Sequence, residues 1–286
     1  MKTNMQDIPL FYYSHPNGVP NIGDYLGKII VENMSSKQIT YTDIATDVQK
    51  YATIGSIINQ AAGKNTIFWG SGIKSEKWMP PSHSSYLAVR GPLTYRLLNN
   101  NGIHCSKIFG DPALLLPFIL EKPKIIANYN IGIIPHYFDE HFIRREFEKS
   151  DLKEVTVISC ETDDVKSFIE KISQCEFIIS SSLHGVIISQ AYGIPALWMK
   201  FSEDDRIGSS SPFKFHDYFL SCSIELYTPP VVNPFESYRE MLNFQKNNKH
   251  LMSINNFNAL PLIDSCPFLD PSKKDSFKSK ALSHAW

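Results

Sequence analysis

Short apolar runs alternate with helically spaced segments through most of the chain, the pattern of α/β layering. Ile8-Pro9-Leu10-Phe11-Tyr12-Tyr13 predicts a first strand, and its aromatic end reads as core. Leu26, Ile29, Ile30 and Met34 then recur on one helix face, in a helix beginning near Asp24. Tyr51-Ala52-Thr53-Ile54-Gly55-Ser56 and Thr66-Ile67-Phe68-Trp69-Gly70-Ser71-Gly72 read as strands ending in small residues, which let a ligand approach the backbone. Tyr86-Leu87-Ala88-Val89 is a further strand, and Pro92 suits the first turn of a helix that reaches Leu98. In the second half, strands are predicted over 131–134, 155–159, 177–180 and 196–199, with helices starting near Asp139 and Asp163. The polar, Gly/Ser-rich stretch 202–211 reads as a mobile loop, and a helix is predicted from Pro234 to about His250. The basic, Ser-rich tail from Pro271 to Trp286 reads as poorly ordered. A link near Glu121-Lys122-Pro123-Lys124 would separate a domain over residues 1–120 from one over 121–286.

One turn stands out. Phe177-Ile178-Ile179 runs into Ser180-Ser181-Ser182-Leu183-His184-Gly185, a helix follows as far as Gly193, and Ile194-Pro195-Ala196-Leu197-Trp198-Met199 resumes as a strand. Such a β-α-β unit requires a right-handed crossover and a parallel sheet, which puts the turn at the carboxyl edge where open α/β sheets bind ligands. The first amides of the helix lack intrahelical partners and favour an anion. Serines in this position are also ordinary helix caps.

Composition narrows the function classes. The 28 basic and 29 acidic residues nearly cancel, so no field points to nucleic acid. No run approaches a membrane-spanning length, and the first residues lack the apolar core of a signal peptide, so a cytoplasmic enzyme is expected. The five cysteines are scattered with no Cys-x-x-Cys pair, which argues against a disulfide frame or a zinc site and makes Cys175 a core residue. No metal and no cofactor are expected.

Asn21-Ile22-Gly23-Asp24, Gly70-Ser71-Gly72, Val89-Arg90-Gly91-Pro92, Gly110-Asp111-Pro112 and Ser182-Leu183-His184-Gly185 all fall at predicted strand ends. In that order, and ending in Gly193-Ile194-Pro195, they resemble the polysaccharide pyruvyltransferase family of the bacterial exopolysaccharide type, over roughly residues 9 to 220. The resemblance implies two Rossmann-like domains facing across a cleft, as in GT-B glycosyltransferases. It also implies transfer of the pyruvyl group of phosphoenolpyruvate, as co-substrate, to two hydroxyls of a sugar, forming a ketal and releasing phosphate. The Arg and His of the family motifs match Arg90 and His184, and the basic residue that many members carry after the Gly-Ile-Pro strand would be Lys200, Arg206 or Lys214.

The residue types suit that chemistry. The donor carries a carboxylate and a phosphate, so Arg90 would clamp one anion and the helix start at Ser181, Ser182, Leu183 and Gly185 the other. His184 is the candidate acid for the enol carbon, with Asp24 or Asp111 to accept a hydroxyl proton or orient the sugar. Asn21 and Gly72 complete the expected substrate contacts, while Gly23, Gly72 and Gly110 serve backbone geometry first. His15 and His216 lie near loops. The acceptor implied by the resemblance is a lipid-linked oligosaccharide at the inner membrane face, where Lys273, Lys274 and Lys280 of the tail would meet anionic lipid unless the tail is simply solvated. Two other readings stay open: a glycosyltransferase of the same fold using a nucleotide-sugar donor, and a glycan-binding relative without activity.

Overall fold

A computed structural model describes residues 7–15, 18–58, 65–77, 79–201, 211–236 and 238–286. Its first half contains strand β1 (Ile8–Phe11), helix α1 (Ile22–Ser35), β2 (Ile39–Tyr41), β3 (Lys50–Ala52), β4 (Thr66–Trp69), β5 (Ser85–Ala88) and α2 (Pro92–Asn100). The strands pair in parallel in the order β2-β1-β3-β4-β5. After a 3-10 helix at Pro112–Phe118 come β6 (Tyr129–Ile134), α3 (Tyr137–Lys149), β7 (Val155–Val157), α4 (Val165–Ser173), β8 (Cys175–Ser180), α5 (Leu183–Ala191) and β9 (Ala196–Trp198). These strands form a second parallel sheet, β7-β6-β8-β9. Helices α6 (Pro212–Ser221), α7 (Tyr238–Asn247), α8 (Leu260–Asp264) and α9 (Lys274–Ser283) finish the chain. The fold is α/β with parallel sheets, as the alternating pattern predicts.

The second sheet shows why its strands read as unbroken apolar runs. Ile131, Ile133, Phe177, Ile179 and Leu197 pack on one face against Ile143 of α3 and Met241 of α7. Ile134, Ile178 and Trp198 pack on the other against α4 and α5. A sheet covered on both faces has no polar side to alternate with. One hydrophobic cluster then continues through α1, α5 and the 3-10 helix to Leu10, Trp69 and Ala88 of the first sheet. The two sheets are therefore joined by apolar packing, and Ile22 N–H also donates to the Cys160 carbonyl at 2.8 Å.

Helix α5 is the most informative element. Val186, Ile187 and Ile188 are all fully buried, and Ser189 and Gln190 are buried too, so the helix is enclosed on every side, the mark of a core helix. Each such apolar side chain contributes about 1.5–3 kcal/mol by leaving water. That anchoring fixes where the α5 N-terminus points.

Several expectations need correction. Helix α1 starts at Ile22, because Asn21 caps it by accepting from Gly23 N at 3.0 Å. Strand β2 and the 3-10 helix carry too little periodic signal to be predicted. Phe213 to Tyr218 belong to α6, and the predicted loop before it falls at 202–210, outside the described residues. The tail is ordered where disorder was expected: Phe277 is buried, Trp286 packs on Phe257 with centroids 4.9 Å apart, and Lys280 donates to the Phe118 carbonyl at 2.6 Å. Lys274 and Lys278 both pair with Asp264, so these charges of the tail are engaged within the chain.

Candidate active site

Strand ends from both sheets meet around a cavity of about 170 Å3. From the first half come Tyr13, Asn21, Asp24, Gly55, Ser56, Ile57 and Lys74. From the second come His136, Tyr137, Ser182, Leu183, His184 and Lys214. The turn picked out in the sequence thus supplies the start of α5 to the cavity. Leu183, His184 and Gly185 fall in its first turn, where amides lack helical partners, and Ser182 makes no side-chain cap bond. Ser182 N–H is spent on Ser180 Oγ at 2.9 Å.

His184 stands at this helix start with its side chain 12% exposed. Its Nε2 is buried, has no hydrogen-bond partner among the described residues, and lies 3.7 Å from Asp111 Oδ2, which likewise has none among them. Asp111 is fully buried, and its Oδ1 caps the 3-10 helix through Ala113 N at 3.0 Å. Asp111 therefore sits behind the imidazole, away from the cavity. This corrects its reading as a group that touches the sugar: its Oδ2 faces the imidazole instead. Gly23 explains the imidazole's position: a Cβ there would stand 2.0 Å from His184 Nδ1. Its lack of a side chain makes room, and its φ is unexceptional, so close approach rather than backbone geometry is its role.

Asp24 and Lys214 face each other's charge in the same cavity. Burial pushes the Asp24 carboxyl up to about 6, with His184, His15 and Lys214 opposing. Burial pulls the Lys214 ammonium down to about 7, helped by Lys74 and Arg90 and opposed by Asp24 and Asp139. Lys214 is only 7% exposed, and its ammonium lies 5.4 Å from the centre of the Phe215 ring. His136 is driven well below its ordinary range by burial and then by Lys214, Lys74 and His184, so it stays neutral. Paired titratable groups displaced in opposite directions are the mark of an acid–base site.

Arg90 corrects a second expectation. Its side chain has no exposed surface and does not line the cavity. Nε meets Asp217 at 3.2 Å, Nη1 donates to Ser56 Oγ at 2.8 Å and Nη2 to the Ile73 carbonyl at 2.9 Å. Asp217 also accepts from Leu93 N, Thr94 N and Thr94 Oγ, at 2.9, 2.9 and 2.7 Å. Arg90 and Asp217 therefore tie together the segments that carry Ser56, Lys74 and Lys214. Gly72 gives the guanidinium its room, since a Cβ there would lie 2.3 Å from Arg90 Cζ.

The other expected residues divide cleanly. Asn21, Ser182 and Leu183 line the cavity. Ser181 does not: its Oγ accepts from His136 N at 2.8 Å and donates to Asp139 at 2.6 Å. Gly185 lets α5 press on Ser180 and Ile134. Lys200 pairs by backbone with Val231, outside the cavity lining, and Arg206 lies outside the described residues. Of the two basic candidates among the described residues, Lys214 is the one that lines the cavity. Sequence reasoning missed Lys74, His136 and Tyr137 and took Tyr13 for core. Only the placement of Gly55 and Ser56 at a strand end hinted at that wall.

The chain is 28% identical over 289 residues to "Uncharacterized protein L143" of Acanthamoeba polyphaga mimivirus, covering 99% of this chain and 94% of that protein. It is 24% identical over 180 residues to "Succinoglycan biosynthesis protein ExoV" of Rhizobium meliloti (strain 1021), covering 58% of this chain and 51% of that protein. The family description "Polysaccharide pyruvyl transferase" matches residues 21–202, which run from the cap of α1 past β9 and include Asp24, Arg90, Asp111 and His184. With most of its length and all of its strand-end motifs inside that match, the chain belongs to the polysaccharide pyruvyl transferase family, and is a transferase by that membership.

Proposed function

We propose that this protein transfers the pyruvyl group of phosphoenolpyruvate to two hydroxyls of a sugar in a polysaccharide precursor, with two Rossmann-like units facing across the cleft that holds the cavity. The observation that carries the reading is Lys214: a lysine nine-tenths buried, lining the cavity that the α5 N-terminus also opens into. A small dianion suits such a setting, with Lys74 at the mouth and amides at the helix start as further donors.

The chemistry then assigns roles. His184 delivers a proton to the enol carbon, turning the methylene into a methyl group and leaving a cationic centre at the adjacent carbon. A first sugar hydroxyl attacks that carbon, and Asp24 takes the hydroxyl proton. The bond to phosphate breaks, the second hydroxyl closes the ketal, and its proton leaves with the phosphate. Asp111 holds the imidazole from behind. Arg90 acts from beneath the floor, holding Ser56 and the Lys74 segment in place and adding positive potential there.

The test is phosphate release that requires both phosphoenolpyruvate and a sugar acceptor. Replacing His184 with Ala is expected to cut kcat at least about a hundredfold in protein that circular dichroism shows to be folded. An unaltered rate would remove His184 from the proton path. The free enzyme's kcat/KM is expected to fall above about pH 7 as Lys214 loses its proton. In Lys214→Arg, which keeps its charge, that alkaline limb moves upward. A limb that stays put would assign it to another group.

A further inference from the structure

Beyond the donor site, aromatic rings from two strand-end segments gather at one side of the cavity. Tyr13 follows β1, and Tyr137 opens α3 directly after β6; both line the cavity. His15 bridges them, 6.3 Å from Tyr13 and 5.4 Å from Tyr137 between centroids, with interplanar angles of 88° and 74°. Phe138, 4.2 Å from Tyr137, is 48% exposed and marks this side as open to solvent. Tyr13 leans on the cluster around Phe11 and Phe68, which fixes its ring, while Tyr137 is held by its aromatic neighbours.

We infer that Tyr13 and Tyr137, braced by His15, form the binding platform for the acceptor's pyranose ring. A pyranose has an apolar face of C–H groups and a polar rim of hydroxyls. A tyrosine offers an apolar ring with a hydrogen-bonding tip, so one side chain can meet both parts. A sugar resting here would extend toward Asp24, whose charge, after burial and Tyr13, reaches the Tyr137 phenol and raises its pKa. The platform draws one ring from each half of the chain, so a docked acceptor spans both. The identification of the sugar as acceptor rests on the pyruvyl-transfer reading; the presence of a sugar site does not.

The experiment is saturation-transfer NMR of the full chain with methyl glycosides of galactose, glucose and N-acetylmannosamine, alongside calorimetry with phosphoenolpyruvate. At least one glycoside should receive saturation from the wild-type protein. Tyr137→Leu and Tyr13→Leu, which keep apolar bulk and so the fold, should each weaken it roughly threefold to tenfold, a larger factor than either changes phosphoenolpyruvate affinity. Glycoside binding equal to wild type in both variants, or none to the wild type, would overturn the platform. Glycoside binding without any phosphoenolpyruvate binding would instead overturn the donor reading and leave the platform standing.

Discussion

Replacing Asp217 with Ala is expected to lower the folding free energy by about 3–5 kcal/mol, the usual result of stranding one member of a buried ion pair. The carboxylate is fully buried and accepts from Arg90 Nε, two amides at the start of α2 and the Thr94 hydroxyl. Alanine would leave a buried guanidinium without its counter-charge and two amides without acceptors. The pair itself need not add much net stability. Burial holds the Asp217 carboxyl above its usual range even with Arg90 and the Thr94 and Leu93 donors opposing, so desolvation consumes most of the attraction. Urea denaturation should show the midpoint falling with an unchanged slope. Replacing both partners, Arg90→Met with Asp217→Leu, should cost less than the sum of the two single changes. An Asp217→Ala protein as stable as wild type would show that this network does not hold the floor of the cavity.

That network also marks the limit of what the sequence could reveal. Strands β6, β8 and β9 were legible because a sheet covered on both faces demands unbroken β-branched runs, and the Ser-Leu-His turn was legible because its order along the chain is local. Strand β2, with two of its three residues exposed, carries no such demand. The tail misled because its lysines and serines match a solvated segment, whereas Phe277 and Trp286 are enough to pin it to the core.

The site divides along the same line. Asp24, Asn21 and His184 could be named from motifs. The assignment of Arg90 to an open anion clamp could not survive a residue 127 positions away: Asp217 claims the guanidinium, and nothing near Val89-Arg90-Gly91-Pro92 announces it. Lys214 is one of three basic options in the sequence, and α6, held by the same Asp217, carries it to the cavity. Gly23 and Gly72 show a related limit. They read as backbone devices, yet their function is to leave space for His184 and Arg90, which depends on tertiary packing that spacing does not encode.

Changing Asp24 to Asn should make the protein more stable and less active. In the unfolded chain the carboxyl ionises near 3.8, but burial in the cavity raises it to about 6 in the fold. Below pH 3.8 both states hold the proton, and Asp24 costs nothing. As the pH rises toward 6, the unfolded chain ionises while the fold does not, so the wild type loses stability through that window. Above it the full cost stands, about 3 kcal/mol from the separation of the two values. Asn is neutral at every pH. The variant should match wild type under acid conditions and exceed it by roughly that amount above pH 6, as read by paired urea denaturation curves. Its kcat should fall at least about a hundredfold, because no group then takes the hydroxyl proton. Loss of the carboxylate also removes one of the charges that support the Lys214 ammonium, so any residual activity should show an alkaline limb below that of wild type. A carboxylate kept in a cavity at a cost to stability is expected of a working group. Stability that is unchanged above pH 6, or activity that survives the substitution, would mean that Asp24 is solvated and idle.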